Sequence, residues 1–290
     1  MMPAMKTAMT PATMAEPAVP AGAARPLLLC ADDFGLTPGI DGAIAGLVRS
    51  GRLGAFSCLC NGPSWAPDAP LLAGLRGQAQ AGLHFNLTEG RPLSPALARH
   101  WPQLPSLARL LIDAHLGRLP TAAVAEELAA QWAAFVQASG CQPDFIDGHQ
   151  HVHHLPGVRP ALLAWLARHP VPVRSTARLG GPGFGFKRWV IAHSGGRALA
   201  RALRQRGLAH NRLLLGAYDF QAGYRPLMQA WLAQVPASGA LLFCHPGQPS
   251  PGDLPDPIAP ARQRELAYLG SAAFAADLAA AGVVLAPAWG

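Results

Sequence analysis

Charge is scarce in this sequence. Asp, Glu, Lys and Arg make up 13% of its 290 residues, against 50% hydrophobic. A chain so apolar does not stay an open coil, and it holds core material for one large domain or two small ones. No run of eighteen or more apolar residues occurs, which excludes an ordinary membrane-spanning helix. Cys-x-x-Cys pairs are absent too. The five cysteines (Cys30, Cys58, Cys60, Cys141, Cys244) are odd in number, and four lie in apolar strand-like runs. They read as small buried hydrophobes in a reducing compartment, so the expected location is cytoplasmic. No GxGxxG or GxxxxGK[ST] opens a helix after the first strand, and nucleotide binding loses its usual support. The formal charge of +7 comes from scattered arginines, not a basic block, and no nucleic-acid partner is expected. The densest run, "RALARALRQRG" from Arg197, mostly fits one helix face. That is a solvated face or, alternatively, a patch for an anionic membrane or substrate.

Residues 1–26 are rich in Met, Ala and Pro and lack the continuous apolar stretch of a secretory signal. They read as a disordered leader ahead of one domain, 27–290. "RPLLLCADDFG" is a buried strand ending in acids, and Thr37-Pro38 opens a helix that stops at Gly51. "GAFSCLCNG" and "AGLHFNLTEG" are further strands. A Pro-rich insertion runs from Arg91 to Pro120. An amphipathic helix follows, with Thr121 as its expected N-cap and Gly140 as its stop. "PDFIDGHQH", "VPVRST", "LLLGAYDF", "GALLFCHPG" and "GVVLAPAWG" supply the remaining strands, separated by helices. Alternation of this kind predicts an α/β fold, a parallel sheet with helices outside. A barrel is favoured over a doubly wound sheet because polar residues recur at the C-terminal ends of many strands, where barrels place their sites.

Those ends carry Asp32, Asp33, Asn61, His84, Asp147, His149, Arg174 and His245. Each has a plain alternative. Adjacent acids often form turns or caps, a lone His in "GLHFNL" is usually a satisfied core group, and an Arg is usually a salt-bridge partner. Together they are hard to explain by packing, because buried charge is costly unless paired or metal-bound. The stretch "DFIDGHQHVHHLPG", Asp144 to Gly157, holds four of the eleven histidines. On an extended chain Asp147, His149, His151 and His153 point to one side, so at least one imidazole can reach a metal. Asp32 and Asp33 face opposite sides of a regular strand. At a twisted strand end both can serve one site, one as ligand and one as base.

"LLLCADDFGLTPGID", "GLHFNLTEGRPL", "PDFIDGHQHVHHLPGV" and "LLFCHPG" together resemble the YdjC-like carbohydrate deacetylases, a group that includes chitooligosaccharide and hopanoid-associated deacetylases. The likeness runs from about Leu27 to the C-terminus. It implies a distorted TIM-like (β/α) barrel and metal-dependent removal of an N-acetyl group from an amino sugar, either a chitooligosaccharide or an N-acetylglucosaminyl glycolipid. It further implies Asp33, His84 and His149 as metal ligands, Asp32 as general base and His245 as general acid. Asn61, Asp147, His151, His153 and Arg174 are left to contact substrate or support the ligands. The family often has Ser where this chain has Gly148. Ligand softness suits Zn²⁺, Mn²⁺ or Co²⁺, and the resemblance adds Mg²⁺. Peripheral membrane contact and a homodimer are open partner readings. Trp65, Trp101, Phe184, Phe186 and Trp189 either pack or meet a sugar or lipid. The rival functions are another metal-dependent amide or phosphoester hydrolase, and a non-catalytic metal- or carbohydrate-binding protein.

Overall fold

The structure is a computed structural model that describes residues 24–251, 253 and 255–290. The expected leader lies almost wholly outside the described residues. Strand β1 (Arg25–Phe34) begins at the first residue of the expected strand. Its apolar run divides by the two-residue period of a strand. Leu27, Leu29 and Ala31 pack outward into the main core, while Leu28 and Cys30 point inward with Phe145, Leu214, Leu241 and Phe243. A sheet buried on both faces needs such a continuous hydrophobic stretch.

Helix α1 (Pro38–Arg49) follows, with the Thr37 side chain capping the Ile40 amide as expected. Then come β2 (Ala55–Cys58), the short α2 (Trp65–Asp68) and β3 (Gln80–Phe85). The insertion holds α3 (Pro95–His100) and α4 (Leu107–His115). In α5 (Thr121–Ser139), Pro120 takes the N-cap position and Thr121 is the first helical residue, which corrects the expected cap; Gly140 closes the helix in a left-handed conformation. The chain continues through β4 (Ile146–Gly148), α6 (Val158–Leu166), α7 (Gly185–Ile191) and α8 (Arg197–Gln205). It ends with β5 (Leu214–Leu215), α9 (Tyr224–Leu232), β6 (Ala240–Cys244), α10 (Ala259–Leu269), α11 (Ala272–Ala280) and β7 (Val283–Leu285).

All paired strands are parallel, in the order β4-β3-β2-β1-β6-β5, with β7 against the start of β1. The sheet curls, and among the described residues its open side is spanned only by single parallel bridges, Ile146 to Val173, Val173 to His210 and Leu179 to Leu214. This is where the barrel is distorted. The two segments read as full strands, "VPVRST" and "LLLGAYDF", shrink to one bridge residue and a two-residue strand. Pro170 and Pro172 cannot donate to a ladder. Gly216 turns the chain at φ 109°, where a side chain would strike the Phe243 carbonyl. Gly82 has a packing reason: the Phe145 ring occupies the place of its missing Cβ inside the curl. The five cysteines are free, and all but Cys141 are buried. No described helix is long and apolar enough to cross a membrane.

Candidate active site

Parallel pairing brings the C-terminal ends of β1, β2, β3, β4 and β6 to one end of the sheet. His84 sits opposite Asp147 in the β3–β4 register, and Phe34 opposite Cys58 across β1–β2. The β1–β2 register shifts between Ala31 and Phe34. Within that irregularity Asp33 takes a left-handed backbone, φ 74°. Such a conformation is unfavourable for a residue with a Cβ and is characteristic of functional sites. It answers how neighbouring acids serve one place: the strand alternation breaks between them.

Three side chains from β1, β3 and the loop after β4 converge. Asp33 Oδ1 lies 3.1 Å from His149 Nδ1 and 3.5 Å from His84 Nε2, and the two ring nitrogens are 3.4 Å apart. All three residues are buried. Ligand bonds of about 2.0–2.1 Å put tetrahedral donor atoms roughly 3.3 Å apart, so this triangle is the size that one divalent cation requires. One carboxylate and two imidazoles also leave further coordination positions open. Burial alone would keep both rings neutral. Asp147 and Asp32 nevertheless carry His84 up to about 10, and Asp33 with Glu89 carries His149 up to about 9. The carboxylates therefore demand positive charge at this point, which a cation would supply in place of the protons.

His84 is oriented from behind. Its Nδ1 meets Asp147 Oδ1 at 2.6 Å and Ser57 Oγ at 3.1 Å, the carboxylate support typical of a ligating histidine. Asp147 in turn pairs with Arg174 at 2.6 Å. Arg174 is fully buried and grips Asp32 with two nitrogens, at 2.7 Å to Oδ2 and 2.6 Å to Oδ1. Ser57 Oγ donates to Asp32 Oδ1 at 3.1 Å. Burial would raise the Asp32 pKa, but the guanidinium wins and holds it well below the usual carboxylate range. A second acid cluster, Cys30 with Asp32 and Asp147, is thereby filled by a guanidinium rather than by an ion.

The histidine-rich stretch does not run as a strand, contrary to expectation. β4 stops at Gly148, and His149–His154 form a tight turn with Gln150 and His151 left-handed at φ 50° and 63°. The alternation of His149, His151 and His153 on one strand face is therefore lost. His149 joins the triad. His151 faces the same cavity, its ring edge-on to Phe243 at 5.3 Å. His153 is turned away from the cavity, and its Nε2 meets the Arg174 carbonyl at 2.8 Å. A side chain at 148 would come within 2.6 Å of the His153 ring, so Gly148 and the tucked His153 depend on each other.

Asn61 lines the cavity and ties its rim, donating to the Glu89 and Arg91 carbonyls and accepting from Asn86. His245, just beyond β6, also lines it. The cavity measures about 790 Å³, and its walls include Leu36, Leu107, Phe184, Ile191 and Phe220. That volume lies inside the range of about 300–1,000 Å³ usual for small-molecule sites. Trp65 and Trp101 are buried, and Trp65 stacks on Phe135 in the core.

Sequence reasoning missed Arg262 and Glu265. Arg262, on α10, bonds Asp33 Oδ2 at 2.8 Å and Asp256 at 2.6 Å. Against the pull of burial, it holds the Asp33 carboxyl well below its usual range. Glu265 accepts the His245 amide at 2.5 Å and the Tyr218 hydroxyl at 2.6 Å. Both sit in a helix 229 or more residues from the acids of β1, and nothing local distinguishes them from surface charges.

A family model described as "YdjC-like protein" matches residues 26–280. The chain belongs to the YdjC-like family. Among curated relatives, a chitooligosaccharide deacetylase of Enterobacter sp. (strain 638) is 35% identical over 155 residues, covering 51% of this chain and 58% of that protein. A carbohydrate deacetylase of Mus musculus is 32% identical over 249 residues, covering 77% of this chain and 78% of the mouse protein. The matched part thus spans under two thirds of the bacterial relatives' length. Among solved structures, a candidate cellobiose-phosphate cleavage protein of Enterococcus faecalis V583 superposes with a TM-score of 0.73 at 20% identity, over 91% of this chain and 97% of that one. That likeness shows that this YdjC-like chain shares its fold.

Proposed function

We propose that the barrel, residues 27–290, is a metal-dependent carbohydrate deacetylase that removes an N-acetyl group from an amino sugar. One observation carries the reading: a buried triad, Asp33, His84 and His149, sized for one divalent cation, opens into the same cavity as Asp32 and His245. The names of the curated relatives agree with it. A cation bound there supplies a Lewis acid that polarises an amide carbonyl and makes a water more acidic.

The chain's own groups supply the proton transfers. Asp32 is ionised at neutral pH, the state a base needs. Its Oδ1 is occupied by Arg174 and Ser57, while Oδ2 has one partner and a free lone pair for the proton of an attacking water. His245, neutral at rest, receives the proton that Asp32 has taken from the water and passes it to the departing amine nitrogen as the C–N bond breaks. The products are acetate and the free amine, so the water's atoms are all accounted for. Ser57, Asp147 and Arg174 hold these groups in place, and His151 and Asn61 face the substrate. A phosphoesterase with two metals needs a second cluster of free carboxylates, and the acids that could form one are held by Arg174.

The test is acetate release from N-acetylated chitooligosaccharides and from sugar phosphates, with and without EDTA. Release that stops with EDTA and returns with a divalent ion is expected. No release from any N-acetyl sugar removes the reading.

His245 carries a pH consequence. Burial without a partner for Nδ1 brings its ring down to about 4, so it is neutral at rest. Between about pH 6 and 8 its protonation does not change, and kcat/KM is expected to show no limb near the ordinary histidine value of about 6.5. A limb there that vanishes in His245→Asn refutes the assignment.

A further inference from the structure

Acids are unevenly spread along the chain. From Gly148 to Tyr218 there are eleven Arg and Lys residues and no Asp or Glu, while the other 219 residues hold twelve cations against sixteen acids. This segment contains α7, a π-turn (Ala192–Gly196) and α8, a rod of 21 residues from Gly185 to Gln205 that is kinked at Gly195 (φ 155°). Leu199, Ala200 and Leu203 bury one side of α8. Phe186, Trp189 and His193 are exposed before the kink, and Arg197, Arg201 and Arg204 after it, an aromatic-then-basic stripe with spacings of three and four residues on each side of the bend. Phe186 is 79% and Trp189 57% exposed, their rings stacked 6.2 Å apart. No described carboxylate pairs with Arg197, Arg201 or Arg204.

The aromatic end adjoins the cavity. Phe184, Lys187 and Ile191, interleaved with the two exposed rings, line its wall. The rod is tied to the histidine loop: His154 bonds Thr176 through Nδ1 and Ser194 through Nε2, at 2.8 and 2.9 Å. Where the π-turn meets that loop, Gly195 (φ 155°) leaves no room for a side chain against the His154 carbonyl.

We infer that this stripe docks the protein on an anionic lipid bilayer. Exposed Phe and Trp beside the cavity enter the headgroup–acyl boundary, and the arginines of α8 meet anionic headgroups, the two contributions that hold an amphipathic segment in a membrane interface. A single-stranded nucleic acid also favours arginine and can stack bases on aromatic rings, so RNA enters the test as the competitor. Resting on the deacetylase reading, the docked orientation gives the cavity mouth an amino sugar borne on a lipid.

The test is co-sedimentation of the full chain with phosphatidylcholine vesicles, with and without phosphatidylglycerol, and competition by RNA. Binding only to the anionic vesicles, weakening with salt, is expected. Each arginine near such a surface contributes about fivefold, so Arg197→Ala/Arg201→Ala/Arg204→Ala lowers vesicle affinity on the order of 10²-fold. Phe186→Ala/Trp189→Ala loses binding as well. The arginine variant keeps acetate release from soluble oligosaccharide and loses it from vesicle-embedded N-acetylglucosaminyl lipid. Absence of binding, equal binding to neutral vesicles, or RNA binding that those variants abolish while vesicle binding is untouched overturns the docking surface. Vesicle binding persists in EDTA and in Asp33→Ala. Binding without acetate release from any substrate therefore supports docking and sinks only the deacetylase reading.

Discussion

Asp32→Asn is expected to slow acetate release by about 10²–10⁴-fold, the usual contribution of a positioned base, with its bound metal retained. The amide keeps the shape of the carboxylate but cannot accept a proton. It also removes one of the two carboxylates that Arg174 pairs with, so some loss of stability accompanies the change. The two effects separate by measurement. Metal content and thermal unfolding report the fold and the triad, while single-turnover acetate release reports the chemistry. In His149→Ala, by contrast, metal and rate fall together, because the triad keeps only two of its donors. Asp32→Asn at near wild-type rate, or stripped of metal, would falsify the division of labour between neighbouring acids. That division has a structural basis. Asp33 is turned toward the histidines by its left-handed backbone, while Asp32 stays in strand alignment, directed into the curl at Arg174.

The parts of the site legible in the sequence are those set by strand direction. A parallel sheet puts every strand's C-terminal end on one side, so Asp33, His84, His149 and His245 could be assembled from apolar runs that end in polar residues. What was hidden depends on tertiary packing. The period of a strand predicted His151 and His153 beside His149, but the chain leaves the sheet at Gly148, where the missing Cβ lets His153 fold under. Arg174 read as an ordinary ion-pair partner, and so it is, yet only the curled sheet reveals that its partners are Asp32, the proposed base, and Asp147, the carboxylate behind His84. Arg262 has no local signal, because its partner Asp33 is 229 residues away. The shortened strands at Val173 and Leu214 follow from prolines and Gly216, whose effect on ladder pairing is visible once the neighbours are known.

Arg174→Met is expected to be the most destabilising single change in the site. The guanidinium sits between two buried carboxylates, and removing it leaves Asp32 without its cation and Asp147 with His84 alone. Breaking a buried pair of this kind costs about 3–5 kcal/mol, a fall in Tm of roughly 6–20 °C for a chain of this size. Lysine is not an equivalent replacement, because a point charge cannot hold Asp32 with two parallel bonds and reach Asp147 as well. Function changes in a particular direction. Without the guanidinium, burial pushes the Asp32 pKa upward, and protonation removes the base at neutral pH. Activity of the variant therefore rises with pH through a range where the native enzyme's Asp32 is already fully ionised. Coupling is the sharper check. Asp32→Asn costs less in the Arg174→Met background than in the native protein, because its partner is already gone, and the difference is expected at about 0.5–3 kcal/mol. Additive costs, together with an unchanged pH profile, would show that Arg174 fills space and does not set the charge state of Asp32.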